Sequence, residues 1–263
     1  MSHLGDHYHL ATALLKKGDL EGAIAEYRLD LGLNPNDVCA HSNLGFALQK
    51  KGELREAIAE YRAALHFNPD SAEIHYCLGT ALQNKDDHEA AITEYRTVLR
   101  LNPNHVDAHY NLGTALWKKD DVKGAIAEYS TALSLNPNEV DAHYSLGNAL
   151  EKQGDFKGAI AEYRATLCLN PNHLRAHYYL GIELKKQGDF EGAIAEYRAA
   201  LRLDPSEAGS RYNLAAALEA IGDLVSSRKE YKKALKLMPR TSEYKHHVTY
   251  IRSALRRLSG AMR

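Results

Sequence analysis

The sequence is poor in cysteine, which limits the chemistry that it can support. Its three cysteines, Cys39, Cys77 and Cys168, are an odd number without the close spacing of a metal site. They indicate free thiols in a reducing, cytoplasmic environment. The sequence also lacks a run of about 18 apolar residues, so no transmembrane helix is predicted. Residues 1–6 lack the basic-then-apolar pattern of a signal peptide.

Motifs that carry catalysis or hold cofactors are also missing. The sequence contains no glycine-rich phosphate loop, no nucleophile elbow and no Cys-x2-Cys pair. We therefore expect no enzymatic activity, no cofactor and no metal site.

Proline is scarce too, and its placement is the strongest signal in the chain. There are seven prolines, and successive ones are 34 residues apart. They are Pro35, Pro69, Pro103, Pro137, Pro171, Pro205 and Pro239. A fixed period of this length indicates an array of one supersecondary unit stacked on copies of itself.

Each 34-residue unit is predicted to form two helices. In residues 140–173, Gly154 separates a first helix from a second one, which ends before Pro171 because the residue preceding a proline leaves the helical region. The small residue Gly147 is predicted to let the two helix backbones approach closely. Tyr163 is predicted to fill the space between this unit and the next.

This pattern resembles the tetratricopeptide repeat, whose 34-residue unit reads Trp-x2-Leu-Gly-x2-Tyr, then Ala-x3-Phe, then Pro. Residues 140–173 place Leu146-Gly147, Ala159-x3-Tyr163 and Pro171 at the corresponding positions. Seven such copies cover residues 4–240, after a leader of residues 1–3, and they look most like bacterial or archaeal members. The resemblance implies an all-α fold, a right-handed superhelical solenoid of antiparallel helix pairs.

The period stops after the last proline. From Ser242 to Leu258 the sequence predicts one more helix, whose apolar stripe comprises Tyr244, Val248, Ile251, Leu255 and Leu258. Terminal repeats need a cap with a polar outer face. We therefore expect residues 241–263 to form a C-terminal capping helix and a basic tail.

Charge is unevenly distributed along the chain. From Ser226 to Arg263 there are 11 Lys or Arg against two acids, a net charge of +9, whereas the whole chain carries −1. This basic end either forms a solvated surface or attracts an anionic partner, which includes head-to-tail copies of the chain itself. Nucleic-acid binding is not expected, because the remaining repeats are net acidic.

Histidine recurs at the fourth position of six repeats, counting positions from residue 4. One repeat step separates these side chains by about 10 Å, whereas a metal holds its ligands within about 2 Å. The stripe is therefore interpreted as structural, filling the place of a bulky packing residue in the family. The residues are His7, His41, His75, His109, His143 and His177.

The resemblance also predicts a binding site. In this family the first helix of each repeat lines a concave groove, with positions 2, 5, 9, 12 and 13 facing inward. Aromatic side chains dominate binding hot spots, although tyrosines at position 5 could instead stack on neighbouring helices. The predicted groove residues are Tyr76, Tyr110, Asn111, Thr114, Trp117, Tyr144, Asn148, Arg175 and Tyr178.

Two acids depart from the repeat pattern. Asp30 stands at position 27, where four other repeats have alanine, and Glu183 replaces the alanine found at position 10 of the other six. Because these positions are expected to be partly buried, each acid needs a partner. Arg28 and His41 are the candidates for Asp30.

The function predicted from these observations is a protein–protein interaction scaffold that binds a peptide or partner helix in the groove. Two alternatives stay open. One is self-assembly through the N-terminal end or the C-terminal helix. The other is a targeting domain of a larger enzyme, such as a glycosyltransferase. Neither membrane nor nucleic-acid partners are expected.

Overall fold

The computed structural model describes residues 6–238 and 245–261, and these form fifteen α-helices. The helices are α1 (Asp6–Lys17), α2 (Leu20–Leu33), α3 (Val38–Lys51), α4 (Leu54–Phe67), α5 (Ala72–Asn84), α6 (His88–Leu101), α7 (Val106–Lys118), α8 (Val122–Leu135), α9 (Val140–Gln153), α10 (Phe156–Leu169), α11 (Leu174–Lys186), α12 (Phe190–Leu203), α13 (Ala208–Ala220), α14 (Leu224–Leu237) and α15 (Lys245–Ala261).

Helices α1 to α14 pack as seven sequential antiparallel pairs, and α15 follows them. The predicted all-α array of about seven helical repeats is thus confirmed. The chain divides into two compact units, Met1–Pro137 with α1 to α8 and Asn138–Arg263 with α9 to α15. The leader predicted at residues 1–3 lies outside the described residues.

The two helices of a pair approach closely where the sequence has glycine. A Cβ atom added to Gly147 on α9 would lie 2.7 Å from Cε1 of Tyr163 on α10, closer than side chains pack. The Tyr163 ring is fully buried. Gly45, Gly79, Gly113 and Gly181 meet the tyrosine of their own repeat in the same way. The predicted role of this glycine is therefore confirmed.

A histidine–glutamate pair joins the two helices of each of the first six repeats. Histidine Nδ1 lies 2.5–2.6 Å from a carboxylate oxygen of the glutamate 19 residues later. The pairs are His7–Glu26, His41–Glu60, His75–Glu94, His109–Glu128, His143–Glu162 and His177–Glu196. In the seventh repeat Arg211 takes the histidine's place, and its Nη1 donates to Glu230 at 2.7 Å.

The same side chains also hold the loop that precedes their helix. Nε2 of His41, His75, His109 and His177 lies 2.9–3.0 Å from the carbonyl oxygen of the proline six residues earlier. Arg211 donates to the carbonyl of Pro205. The histidine stripe is therefore structural, as predicted, but it acts through hydrogen bonds to the glutamate and the loop rather than through bulk.

Helix α15 packs against α14. Ile251, Ala254 and Leu258 are buried in one cluster with Tyr231 and Ala234 of α14. Val248 and Leu255 are partly buried at its edge, while Tyr244 lies outside the described residues. The described part of the predicted apolar stripe therefore faces the last repeat.

The two exceptional acids are both buried, but among residues 6–238 and 245–261 only Glu183 has an ion-pair partner. Glu183 is fully buried, and one carboxylate oxygen accepts from Nζ of Lys186 at 2.6 Å. Asp30 is 4% exposed. Its predicted partners are engaged elsewhere, Arg28 with Glu56 and His41 with Glu60 and a proline carbonyl. The predicted pairing of Asp30 with either of them is therefore wrong.

Candidate functional site

In the first unit, the predicted groove residues lie on the first helices of repeats three and four. Tyr76 belongs to α5, whereas Tyr110, Asn111, Thr114 and Trp117 belong to α7, and all five are half-buried. Tyr110, Thr114 and Trp117 are spaced by four and three residues. That spacing places them on one face of α7.

Tyr76 is held in place by the following repeat. Asn111 donates from Nδ2 to the Tyr76 hydroxyl at 3.0 Å, so one of its amide protons is already engaged. The Tyr76 ring stacks on His105, the residue that caps the N-terminus of α7, with ring centroids 4.9 Å apart. Tyr76 therefore supports the junction between repeats while keeping part of its ring accessible.

In repeats four and five, position 9 of the first helix accepts a hydrogen bond from the buried tyrosine of its own repeat. The Tyr129 hydroxyl donates to Thr114 at 3.3 Å, and the Tyr163 hydroxyl donates to Asn148 at 2.9 Å. A buried hydroxyl needs such a partner. Thr114 and Asn148, which the sequence placed in the groove, thus also satisfy the core.

In the second unit, Tyr144 on α9 lies among aromatic rings. Its centroid is 4.8 Å from that of His173 and 6.2 Å from that of Tyr179 on α11. Burial raises the pKa of the Tyr144 hydroxyl, while Asn148 and the exposed Arg175 act in the opposite direction. The structure thus brings Tyr144, Asn148 and Arg175 together.

Tyr178, also on α11, is linked to the last repeat. Its hydroxyl accepts from Nδ2 of Asn213 on α13 at 3.4 Å. Asn213 is itself buried, and its Oδ1 accepts from Nζ of Lys185 at 2.7 Å. Sequence analysis did not select Lys185, although its place at position 12, one of the inward-facing positions, was a signal for it.

No metal or membrane site emerges from the part of the chain that the structure describes. Within residues 6–238 and 245–261, no three His, Cys, Asp or Glu side chains are grouped as metal ligands would be. Within the same residues, every helix is too short or too polar to cross a membrane.

Comparisons with known proteins agree on one family. A sequence profile described as TPR repeat matches residues 11–52, 50–86, 84–120, 118–154 and 183–222. A second profile, described as tetratricopeptide repeat, matches residues 140–183. Among curated proteins, none matches this chain.

Solved structures with the same fold include several bacterial proteins. YrrB, a TPR protein with an unusual peptide-binding site, is 25% identical with a TM-score of 0.62, over 70% of this chain and 95% of its own. MamA from Desulfovibrio magneticus is 25% identical with a TM-score of 0.61, and the alignment covers 65% of this chain and 96% of MamA. A TPR repeat-containing protein from Cytophaga hutchinsonii has a TM-score of 0.73, and the alignment covers 90% of this chain and 97% of that protein. Its sequence identity of 17% means that the likeness shows the fold alone.

The profile matches extend over more than half of the sequence, and the helix pairs, the buried tyrosines and the close-packing glycines all recur with the 34-residue period. This chain belongs to the tetratricopeptide repeat family.

Proposed function

We propose that this chain is a non-catalytic scaffold that binds a peptide or a partner helix on the face of its first helices. The observation that supports this proposal most directly is the pair of half-buried aromatic side chains on one face of α7, where Tyr110 and Trp117 flank Thr114. Tyrosine and tryptophan supply large contact areas with a polar end, and such residues dominate protein interfaces. The peptide-binding site of the similar protein YrrB supports the proposal.

A library of random dodecapeptides displayed on phage, selected on the whole chain, tests this function. Selected peptides should bind Trp117→Ala more weakly by at least about 1 kcal/mol. Leu135→Ala is the matched control, because Leu135 is an exposed apolar side chain on a second helix, α8. Selected peptides that bind the two variants equally well would place the site elsewhere on the chain.

A second candidate function is self-association, favoured by one observation in repeat one. Leu10 is 47% exposed, whereas the leucine at the same position of repeat two, Leu44, is 1% exposed. Light scattering over a range of protein concentrations separates the two functions. A mass that grows with concentration in the wild type but not in Leu10→Ser would favour self-association.

A further inference from the structure

Lys185 carries a positive charge that the described structure does not neutralise. Its half-buried ammonium donates to Oδ1 of Asn213 at 2.7 Å. Within residues 6–238 and 245–261, no carboxylate lies within 4.0 Å of its Nζ. The adjacent Lys186 differs, because Glu183 and Glu151 both pair with it, at 2.6 and 3.1 Å.

The surroundings of Lys185 hold it in place without compensating its charge. An ammonium has only donors, so the Asn213 amide must turn its oxygen toward Lys185 and its nitrogen toward the Tyr178 hydroxyl. Burial, together with the neighbouring charge of Lys186, lowers the pKa of Lys185. A neutral amide only partly repays the desolvation of a cation. A carboxylate from outside the chain would complete the site.

A second cation lies on the same face of α11. Arg175, Tyr178, Ile182 and Lys185 are spaced by three, four and three residues, so they form one stripe along the helix. Arg175 is exposed and, among the described residues, has no carboxylate within ion-pair distance. Ten residues of helix separate the two cations by about 15 Å. The stripe therefore presents two positive charges that have no ion-pair partner among the described residues, with Tyr178 and Ile182 between them.

We propose that this α11 stripe recognises an extended peptide with the pattern acid-x-apolar-x-acid. An extended chain rises about 3.3 Å per residue, so residues four apart span about 13 Å and project their side chains to the same side. Two carboxylates at this spacing match Arg175 and Lys185, and the apolar residue between them meets Ile182. The inference rests on the proposed scaffold function and narrows it to an acidic class of ligand.

The test uses a fluorescein-labelled decapeptide with the centre Glu-Ser-Leu-Ser-Glu, titrated with the whole chain and followed by anisotropy at low salt. Lys185→Met should weaken binding at least about tenfold, which corresponds to about 1.4 kcal/mol. Arg175→Gln should act in the same direction, and Lys185→Arg should retain most of the affinity. Lys157→Met is the control, since Lys157 is an exposed lysine on α10. Unchanged melting temperatures show that the variants fold.

Two peptide controls make the outcome decisive. Replacing both glutamates by glutamine, or moving them one residue closer, should each weaken binding to the wild type. The inference would be overturned if the glutamine peptide bound as tightly as the glutamate peptide, or if Lys185→Met left the affinity unchanged. It would also be overturned if a single-stranded oligonucleotide bound more tightly and displaced the peptide. If phage-selected peptides still depend on Trp117 in that event, the scaffold function stands and only the acidic class of ligand is wrong.

Discussion

Nδ1 of His177 lies 2.5 Å from a carboxylate oxygen of Glu196, and its Nε2 lies 3.0 Å from the carbonyl oxygen of Pro171. Both neighbours are acceptors, and only the protonated ring can donate from both nitrogens. The hydrogen bond to Glu196 raises the pKa of His177, whereas burial and the nearby Arg202 act against it. Arg211, which is always charged, makes the same two contacts in repeat seven. The position therefore favours a cation.

We predict that His177 stabilises the chain in a pH-dependent way. Its folded pKa lies above the ordinary value of about 6.5. Its contribution is therefore complete below about pH 6.5 and is lost as the pH rises through the folded pKa. His177→Gln should lower the free energy of unfolding by about 1–2 kcal/mol at about pH 6. The cost should be smaller at about pH 9, as measured by urea unfolding.

His177→Arg is the matched control for that prediction, because it reproduces the chemistry of Arg211 at the same position. The free energy of unfolding of this variant, minus that of the wild type, should increase as the pH rises. An equal cost of His177→Gln at both pH values would mean that packing, rather than charge, explains the stabilisation.

Glu183→Ala is expected to stabilise the chain. The carboxylate is fully buried, one of its oxygens has no hydrogen-bond partner among the described residues, and burial raises its pKa. Lys186 keeps Glu151 as a partner when Glu183 is removed. Replacing a buried ion pair with apolar residues of similar volume is often neutral or stabilising, by up to about 4 kcal/mol. The other six repeats already have alanine at this position, so the fold accommodates it.

The gain from Glu183→Ala should be larger at neutral pH than near pH 4. A raised folded pKa means that the ionised carboxylate destabilises the fold above that pKa, and the penalty vanishes below the unfolded value. Ala149→Glu, which places an acid at the same position of repeat five, should destabilise the chain. A lower urea midpoint for Glu183→Ala would show instead that the ion pair with Lys186 stabilises the chain by more than the burial of the carboxylate destabilises it.

Asp30→Ala is expected to raise the melting temperature, with a gain of about 1 kcal/mol. Asp30 is buried at a position where Ala64 and Ala132 stand in other repeats, and alanine is the better helix former. Asp30→Asn separates the effect of charge from that of shape. If both variants melt below the wild type, the carboxylate stabilises its surroundings.

The helices follow from the sequence because each boundary depends on local chemistry, such as Pro171 after α10 or the left-handed Gly154 after α9. The close approach at Gly147 follows for the same reason. The partner of Arg28 could not be predicted in this way. Residues two apart point to different sides of a helix, and Arg28 reaches Glu56 in the next repeat.

The candidate site was predictable in part. Position numbers alone select Tyr76 and Trp117, because they depend only on the repeat. They do not reveal that Asn111 donates to Tyr76, nor that Lys185 donates to Asn213 and meets no carboxylate among the described residues, because these contacts depend on packing between repeats. The histidine and the glutamate of each pair are separated by a constant 19 residues, which is visible in the sequence. That separation identifies a contact only when the packing of the two helices is known.

A double-mutant cycle between Tyr76 and Asn111 tests whether the aromatic face is part of the fold. Tyr76→Phe and Asn111→Ala each remove the 3.0 Å hydrogen bond, so the double variant should cost less than the sum of the two. The expected coupling is about 0.5–1.5 kcal/mol by urea unfolding. Tyr8→Phe with Asn111→Ala is the control, and these changes should be additive because Tyr8 bonds to Asn43 instead. Zero coupling for Tyr76 and Asn111 would leave both groups available to a ligand.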